Sequence, residues 1–309
     1  MENKVQHETQ YEDEIDLREL FGALWAEKIK ILAITTIFAV ASLIYSLSIP
    51  NQYKATALLA PASDSGGISD TLGQITGLAT LAGMSISGGE SSESQIAQEI
   101  MKSWSFIEDF IVDNDIAVEI YAAEGWSKES NELKIDQDVY DSEDKEWLIE
   151  NDSGAVGPPS SWELFEEFTE RLAVSEDNKT GFVSVSIEYY SPQIAKQWLD
   201  LYISAINKNM QMREIEKVSN NISYLETQIN KTAIAEMREV FYTLIAEQTK
   251  DKMVAEASPE YAFVAVSPSM VPEEKSQPQR ILICALGTIL GGMLSVLLLS
   301  VMHFIRKSD

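Results

Sequence analysis

The 309-residue chain has little of the usual chemistry of enzymes. It contains two histidines, His7 and His303, and one cysteine, Cys284. None of them lies between residues 51 and 280, so that stretch has no imidazole for a catalytic triad or metal site and no thiol for a disulfide. No G-x-x-x-x-G-K-[S/T] run occurs, which excludes a phosphate-cradling loop of that type. Basic residues are also scarce, with 23 Lys/Arg against 49 Asp/Glu and a formal net charge of −26. Residues 51–280 hold 40 of those carboxylates and 17 of the cations, a net of −23. Such a segment is repelled by nucleic acid and by anionic headgroups, and solubility is the plain reason for the charge.

With so many acids, some pair always resembles a glycosidase dyad, so no carboxylate is assigned a catalytic role. Asp136-Gln137-Asp138 and the acidic run 141–144 lack the glycine and terminal glutamate of an EF-hand loop and read as a solvated loop. The inventory therefore supports no catalytic, cofactor-binding or metal-binding residue, and a non-enzyme is expected.

Charge is missing from two windows. Residues 29–49 carry only Lys30, and residues 281–305 carry no Asp, Glu, Lys or Arg. At about 1.5 Å per residue, each is long enough to cross a hydrocarbon core of roughly 30 Å. The first exceeds a signal-peptide apolar core, has no A-x-A site after it, and follows an acidic tail, so it reads as an uncleaved anchor. Arg18, Lys28 and Lys30 precede it and only Lys54 follows closely, which favours cytoplasmic termini; the flanks of the second window are neutral. The organisation expected is a cytoplasmic tail (1–28), a first transmembrane helix (29–49) and an α/β base begun by 50–191. A projecting helical region (192–257), a return strand with connector (258–280), a second transmembrane helix (281–305) and a short tail (306–309) follow.

Between the two windows, strands and helices interleave, and the fold class expected is α+β. Residues 53–61, bracketed by Pro50 and Pro61, read as a strand. Residues 62–94 are rich in Gly and Ser with an apolar island at 78–84, either a loop or a short packed helix. Ser92 and Gln95 have capping-box spacing ahead of a helix bearing Ile96, Ile100, Trp104, Ile107 and Ile111 on one face. Ser160 and Glu163 cap another, with Trp162, Phe165, Phe168 and Leu172. The turn Asp177-Asn178-Lys179-Thr180-Gly181 leads into a strand alternating Val183, Val185, Ile187 and Tyr189.

Proline and glycine are then absent from 193 to 256. Ile215, Val218, Ile222, Leu225 and Ile229 repeat at 3-4-3-4 spacing, a coiled-coil seam that Ala233, Met237, Val240 and Leu244 extend with a stutter. An unbroken helix here would be on the order of 100 Å long. Yet residues 261–266 read as a strand and the second apolar window follows soon after. Either a hairpin turns within 218–235, with legs of roughly 45 Å, or one long helix descends from a tip reached earlier; the hairpin is preferred. Pro268, Pro272 and Pro278 then stiffen an extended connector. Within the second window, Gly287, Gly291 and Gly292 offer a close-packing face to another helix, in the same chain or in another.

Taken together, the strand 53–61, the helix start Ser191-Pro192-Gln193-Ile194-Ala195-Lys196-Gln197-Trp198 and the proline-rich connector running into a glycine-containing span resemble the Wzz-type polysaccharide chain-length determinants, or polysaccharide co-polymerases. The resemblance covers nearly the whole chain. It implies a bacterial inner-membrane protein with a periplasmic α/β base and projecting helices, assembled as a ring-like homo-oligomer. It further implies control of the length of a surface polysaccharide, usually lipopolysaccharide O-antigen, together with a Wzy-type polymerase. The growing polysaccharide is a further partner, nucleic acid is none, and the family has no catalytic residues to carry over. Alternatives are a capsule or exopolysaccharide co-polymerase and a two-span periplasmic sensor. The four residues after the second span supply no kinase or output domain for these.

Overall fold

In the computed structural model, residues 25, 27–62, 90–150, 154 and 156–308 are described. The apolar island at 78–84 lies outside them. Two compact units are present, one formed by 50–276 and the other by the two apolar termini.

In the larger unit, β1 (Tyr53–Pro61) is followed by α2 (Glu90–Met101), α3 (Trp104–Asn114) and α4 (Ala117–Tyr121). Two small hairpins come next: β2 (Ala123–Ser127) with β3 (Glu132–Ile135), and β4 (Tyr140–Asp141) with β5 (Glu146–Trp147). Then come α5 (Ser161–Arg171), β6 (Leu172–Glu176), β7 (Val183–Tyr189), the long α6 (Pro192–Lys231), α7 (Ala235–Ala257) and β8 (Phe263–Ser267). The main sheet has the order β6-β7-β1-β8, and every neighbouring pair is antiparallel. The fold is α+β.

Strand alternation decides which sheet face is buried. In β1, Ala55, Ala57 and Leu59 point into the core, opposite Ile187, Val185 and Val183 of β7; all six are at most 1% exposed. Small alanines facing branched residues leave room for α6 to lie on the sheet. Its first turns bury Ala195, Trp198, Leu199, Tyr202 and Ile206. Tyr202 sits 4.9 Å from the Phe110 ring and 5.5 Å from the Phe168 ring, while Trp198 lies 4.4 Å from Tyr189. Each buried phenol hydroxyl finds a carbonyl: Tyr202 donates to Met101 and Tyr189 to Glu119 at 2.5 Å. The core is thus an aromatic cluster with its polar ends satisfied.

Most local signals act as their chemistry requires, but Ser92 and Gln95 do not open a helix, because α2 already begins at Glu90. Ser160 and Glu163 form a reciprocal capping box, and Ser191 caps α6 with Pro192 in its first turn. Gly181 takes the left-handed conformation (φ +70°) that closes the β6–β7 turn, where the Asp177 carboxylate accepts the Lys179 N–H at 2.9 Å.

Two features depart from the periodicity reading. The face assigned to 96–111 is split because the helix breaks at Lys102-Ser103, where the Ser103 hydroxyl donates to the Ile100 carbonyl at 2.7 Å. The break resets the helical phase, so Ile96 and Trp104 are exposed and Ala97, Met101, Phe106 and Phe110 join Ile107 and Ile111 in the core. The second concerns the leg lengths of the long helical region, which forms the preferred hairpin with its tip inside 218–235 but without two equal legs of about 45 Å. It reverses at Thr232–Ile234, making a hairpin with unequal legs of about 60 Å (α6) and 35 Å (α7). Thr232 and Ile234 leave the helix in extended conformations open to any residue, so neither glycine nor proline is required.

Candidate functional site

Three regions bear on function: the paired apolar helices, the helical hairpin, and the proline-rich connector.

The apolar helices are α1 (Lys28–Ser48) and α8 (Arg280–Ser308). Both have the length and composition to span a membrane. They pack against each other antiparallel, and glycines make the closest approach. A side-chain carbon added at Gly287 would lie 2.7 Å from the Ser42 hydroxyl, and one at Gly291 would lie 2.8 Å from Cγ of Phe38. Gly292 is looser, with Thr35 Oγ1 at 3.9 Å. Gly287 and Gly291 are thus occupied by α1 of the same chain. Hydroxyls along the pair mostly bond back to their own helix: Thr35 to Ile31 (2.8 Å), Thr288 to Cys284 (2.7 Å) and Ser295 to Gly292 (2.7 Å).

In the hairpin, Val218 is buried, and Ile215, Ile222, Leu225 and Ile229 are half-buried. Their counterparts on α7 are Phe241, Ile245, Gln248, Lys252 and Ala255, at 4-3-4-3 spacing. Met237, Val240 and Leu244, read as the continuing seam, point outward instead, because reversal at 232–234 starts a new helix with its own phase. Asn221 donates to Gln248 across the helices at 3.1 Å. Gln211 donates to the Ala255 and Ser258 carbonyls at 2.8 and 3.0 Å, satisfying acceptors at the end of α7. Lys217, held by Glu214, has its pKa raised above the usual lysine range. On the outer side of α7, Ala246, Met253, Val254 and Ala257, with Thr249 and Lys250 between them, line a shallow and mostly apolar strip.

Along the connector, Pro268 is exposed, Pro272 half-buried and Pro278 buried. Its attachments come from residues that the sequence did not single out. The Ser269 hydroxyl donates to Asp200 of α6, whose other oxygen meets Lys196 at 2.5 Å. Ser276 donates its N–H to the Gln52 carbonyl at 2.8 Å and shares its single hydroxyl proton between that carbonyl, at 3.0 Å, and Glu188 of β7. Lys275 reaches Asn51 at 3.5 Å. Serines between prolines were the one available signal, and serine there is ordinary turn composition.

Edge strand β8 is held in a comparable way. Asn207 accepts the Ala262 and Phe263 N–H groups at 2.8 Å each and donates to the Phe263 carbonyl at 2.9 Å.

The acidic residues do different work. Asp136 accepts the Asp138 N–H, and Asp141 accepts those of Glu143 and Asp144, so these carboxylates close their own turns. Among the described residues, no group of three His, Cys, Asp or Glu side chains is placed to hold a metal ion. Glu119, partly buried near Asp115, has its pKa raised, chiefly by desolvation.

These features define a protein with two membrane-length apolar helices, at its termini, bracketing an α+β unit that carries a helical hairpin. Residues 13–113, which include α1, β1, α2 and most of α3, match the family model described as Wzz, chain length determinant protein. The matched stretch is about a third of the chain. No curated protein matches it. Among solved structures, a full-length bacterial polysaccharide co-polymerase is similar at 12% identity, covering 95% of this chain and 99% of its own, with a TM-score of 0.44. A fragment of WzzB, the polysaccharide co-polymerase from Salmonella Typhimurium, is similar at 12% identity over 74% of this chain and 100% of its own, with a TM-score of 0.30.

Proposed function

We propose that this protein is a non-catalytic regulator of the chain length of a surface polysaccharide, lipopolysaccharide O-antigen. It works in the bacterial inner membrane as a homo-oligomer alongside a Wzy-type polymerase. The observation that carries this reading is the family match over 13–113, which covers α1 and the first strand of the α+β unit. In this reading both termini are cytoplasmic and residues 50–276 are periplasmic, where a net charge near −23 for 51–280 keeps the unit soluble and away from anionic headgroups. The outward apolar strip of α7 suits a helix of a neighbouring subunit, and the growing polysaccharide is a further partner.

Coupling to the polymerase runs through the connector and second span. Replacing Pro268, Pro272 and Pro278, or enlarging Gly287 and Gly291, shifts chain length more than neutralising the acids at 141–144. The direct test is deletion of the gene, followed by electrophoresis of the lipopolysaccharide. Loss of the modal cluster of bands is expected, and an unchanged modal pattern refutes the O-antigen reading.

A further inference from the structure

The connector from β8 to Ser276 has little to hold it by packing. Met270 is 75% exposed, Val271 43%, and Pro268, Glu273, Glu274 and Lys275 are exposed as well. Within 267–276, Ser269 is the only buried residue. Proline removes a backbone donor at two of these positions, so the segment cannot extend the sheet beyond β8 as a regular strand. What fixes it is a pair of hydroxyl-to-carboxylate hydrogen bonds, Ser269 to Asp200 and Ser276 to Glu188. Bonds to an ionised acceptor are the stronger kind, and these two anchor on different elements, the exposed side of α6 and the centre of the sheet in β7.

Ser276 does more than fasten the connector. Its N–H and hydroxyl both reach the Gln52 carbonyl, so one residue ties together the first and last segments of the 50–276 unit. Gln52 lies four residues after α1 ends, and Ser276 lies four residues before α8 begins. Both covalent connections to the apolar helices therefore start from a single hydrogen-bonded point.

We propose that Ser269 and Ser276, with Asp200, Glu188 and Gln52, form a two-point clasp whose closed state sets the chain length that the protein imposes. The proposal rests on the chain-length reading above. The serines are positioning residues: they touch no polysaccharide and act by fixing the connector and the spacing of its two exits. Prolines make the segment stiff, but the clasp decides where that stiff segment is held. Losing both hydroxyls leaves the backbone bond from Ser276 to Gln52 and the Lys275–Asn51 bond beside it, and releases the connector from α6 and β7.

The test uses the full-length protein, as wild type and as Ser269→Ala/Ser276→Ala, in detergent for hydrogen exchange and in a strain lacking its own copy for chain length. Exchange of the Ser276 amide, which donates to the Gln52 carbonyl, is expected to accelerate at least about tenfold in the double variant, the equivalent of losing roughly 1.4 kcal/mol of local protection, while exchange in α6 and β7 stays as in wild type. The modal length is expected to shift or broaden at an unchanged amount of membrane-inserted protein, and Ser276→Thr, which keeps the hydroxyl, is expected to retain the wild-type pattern. Unchanged exchange overturns the clasp itself. Faster exchange with an unaltered chain-length pattern overturns its role in regulation. If deleting the gene leaves the polysaccharide unaltered, the functional reading fails, and the exchange experiment still decides whether the clasp exists.

Discussion

Asn207 offers the sharpest test of how the long helix and the sheet are joined. Its side chain is 4% exposed, and its carboxamide supplies β8 with the bonds a neighbouring strand would provide, accepting from Phe263 N–H and donating to Phe263 C=O, with Ala262 N–H as a third partner. Asn207→Leu keeps the volume and removes all three. Each buried backbone group left without a partner costs about 1–3 kcal/mol. Ala262 is only half-buried, so water can replace part of the loss there, and a net cost of about 3 kcal/mol is expected. For a unit the size of 50–276, that corresponds to a fall in Tm of roughly 6–12 °C. The assay is thermal unfolding of the full chain in detergent, followed by tryptophan fluorescence; five of the six tryptophans lie within 50–276, so the signal reports on this unit. A shift below about 2 °C would refute the view that Asn207 holds the edge strand.

Two further outcomes follow from the same core. Trp198→Ala removes a ring that is 3% exposed and 4.4 Å from Tyr189, at an expected cost of about 3–5 kcal/mol. Chemical denaturation of the full chain measures this, and a midpoint matching wild type would contradict the packing. Burial raises the pKa of Tyr189 and Tyr202 above the ordinary value of 10.0, so the unfolded chain releases these protons before the folded one does. Their contribution to stability is complete below pH about 10 and is lost as pH rises beyond it, and Tyr202→Phe should flatten that alkaline decline in a pH series of unfolding midpoints.

Much of the architecture is written locally. The two apolar windows show as helices of membrane-spanning length because about twenty nearly uncharged residues in a row is a property of composition alone. Strand β1, the alternating strand β7, the Ser160–Glu163 box and the Pro192 helix start are likewise set by short-range chemistry. The absence of glycine and proline leaves the tip of the preferred hairpin unmarked within 218–235, and the 3-4 repeat runs on past the end of α6 as though the helix continued. A reversal made by two extended residues leaves no mark in composition, and the helix after it begins a new phase. Hence Met237, Val240 and Leu244 face outward while Phe241, Ile245 and Ala255 face α6. The break at Lys102-Ser103 misplaced Ile96 and Trp104 for the same reason.

Long-range partners were not legible at all. Gly287 and Gly291 announce a close helix contact, but only the tertiary structure assigns it to Ser42 and Phe38 of the same chain. Ser269 finds Asp200 from 69 positions away, and Ser276 finds Gln52 from 224. A periodic pattern says which side of an element is apolar, because the period is a property of that element. Which other element meets it, and which lone serine or asparagine closes the contact, depends on how the whole chain is threaded. That was decided only when the sheet, the hairpin and the connector were in place.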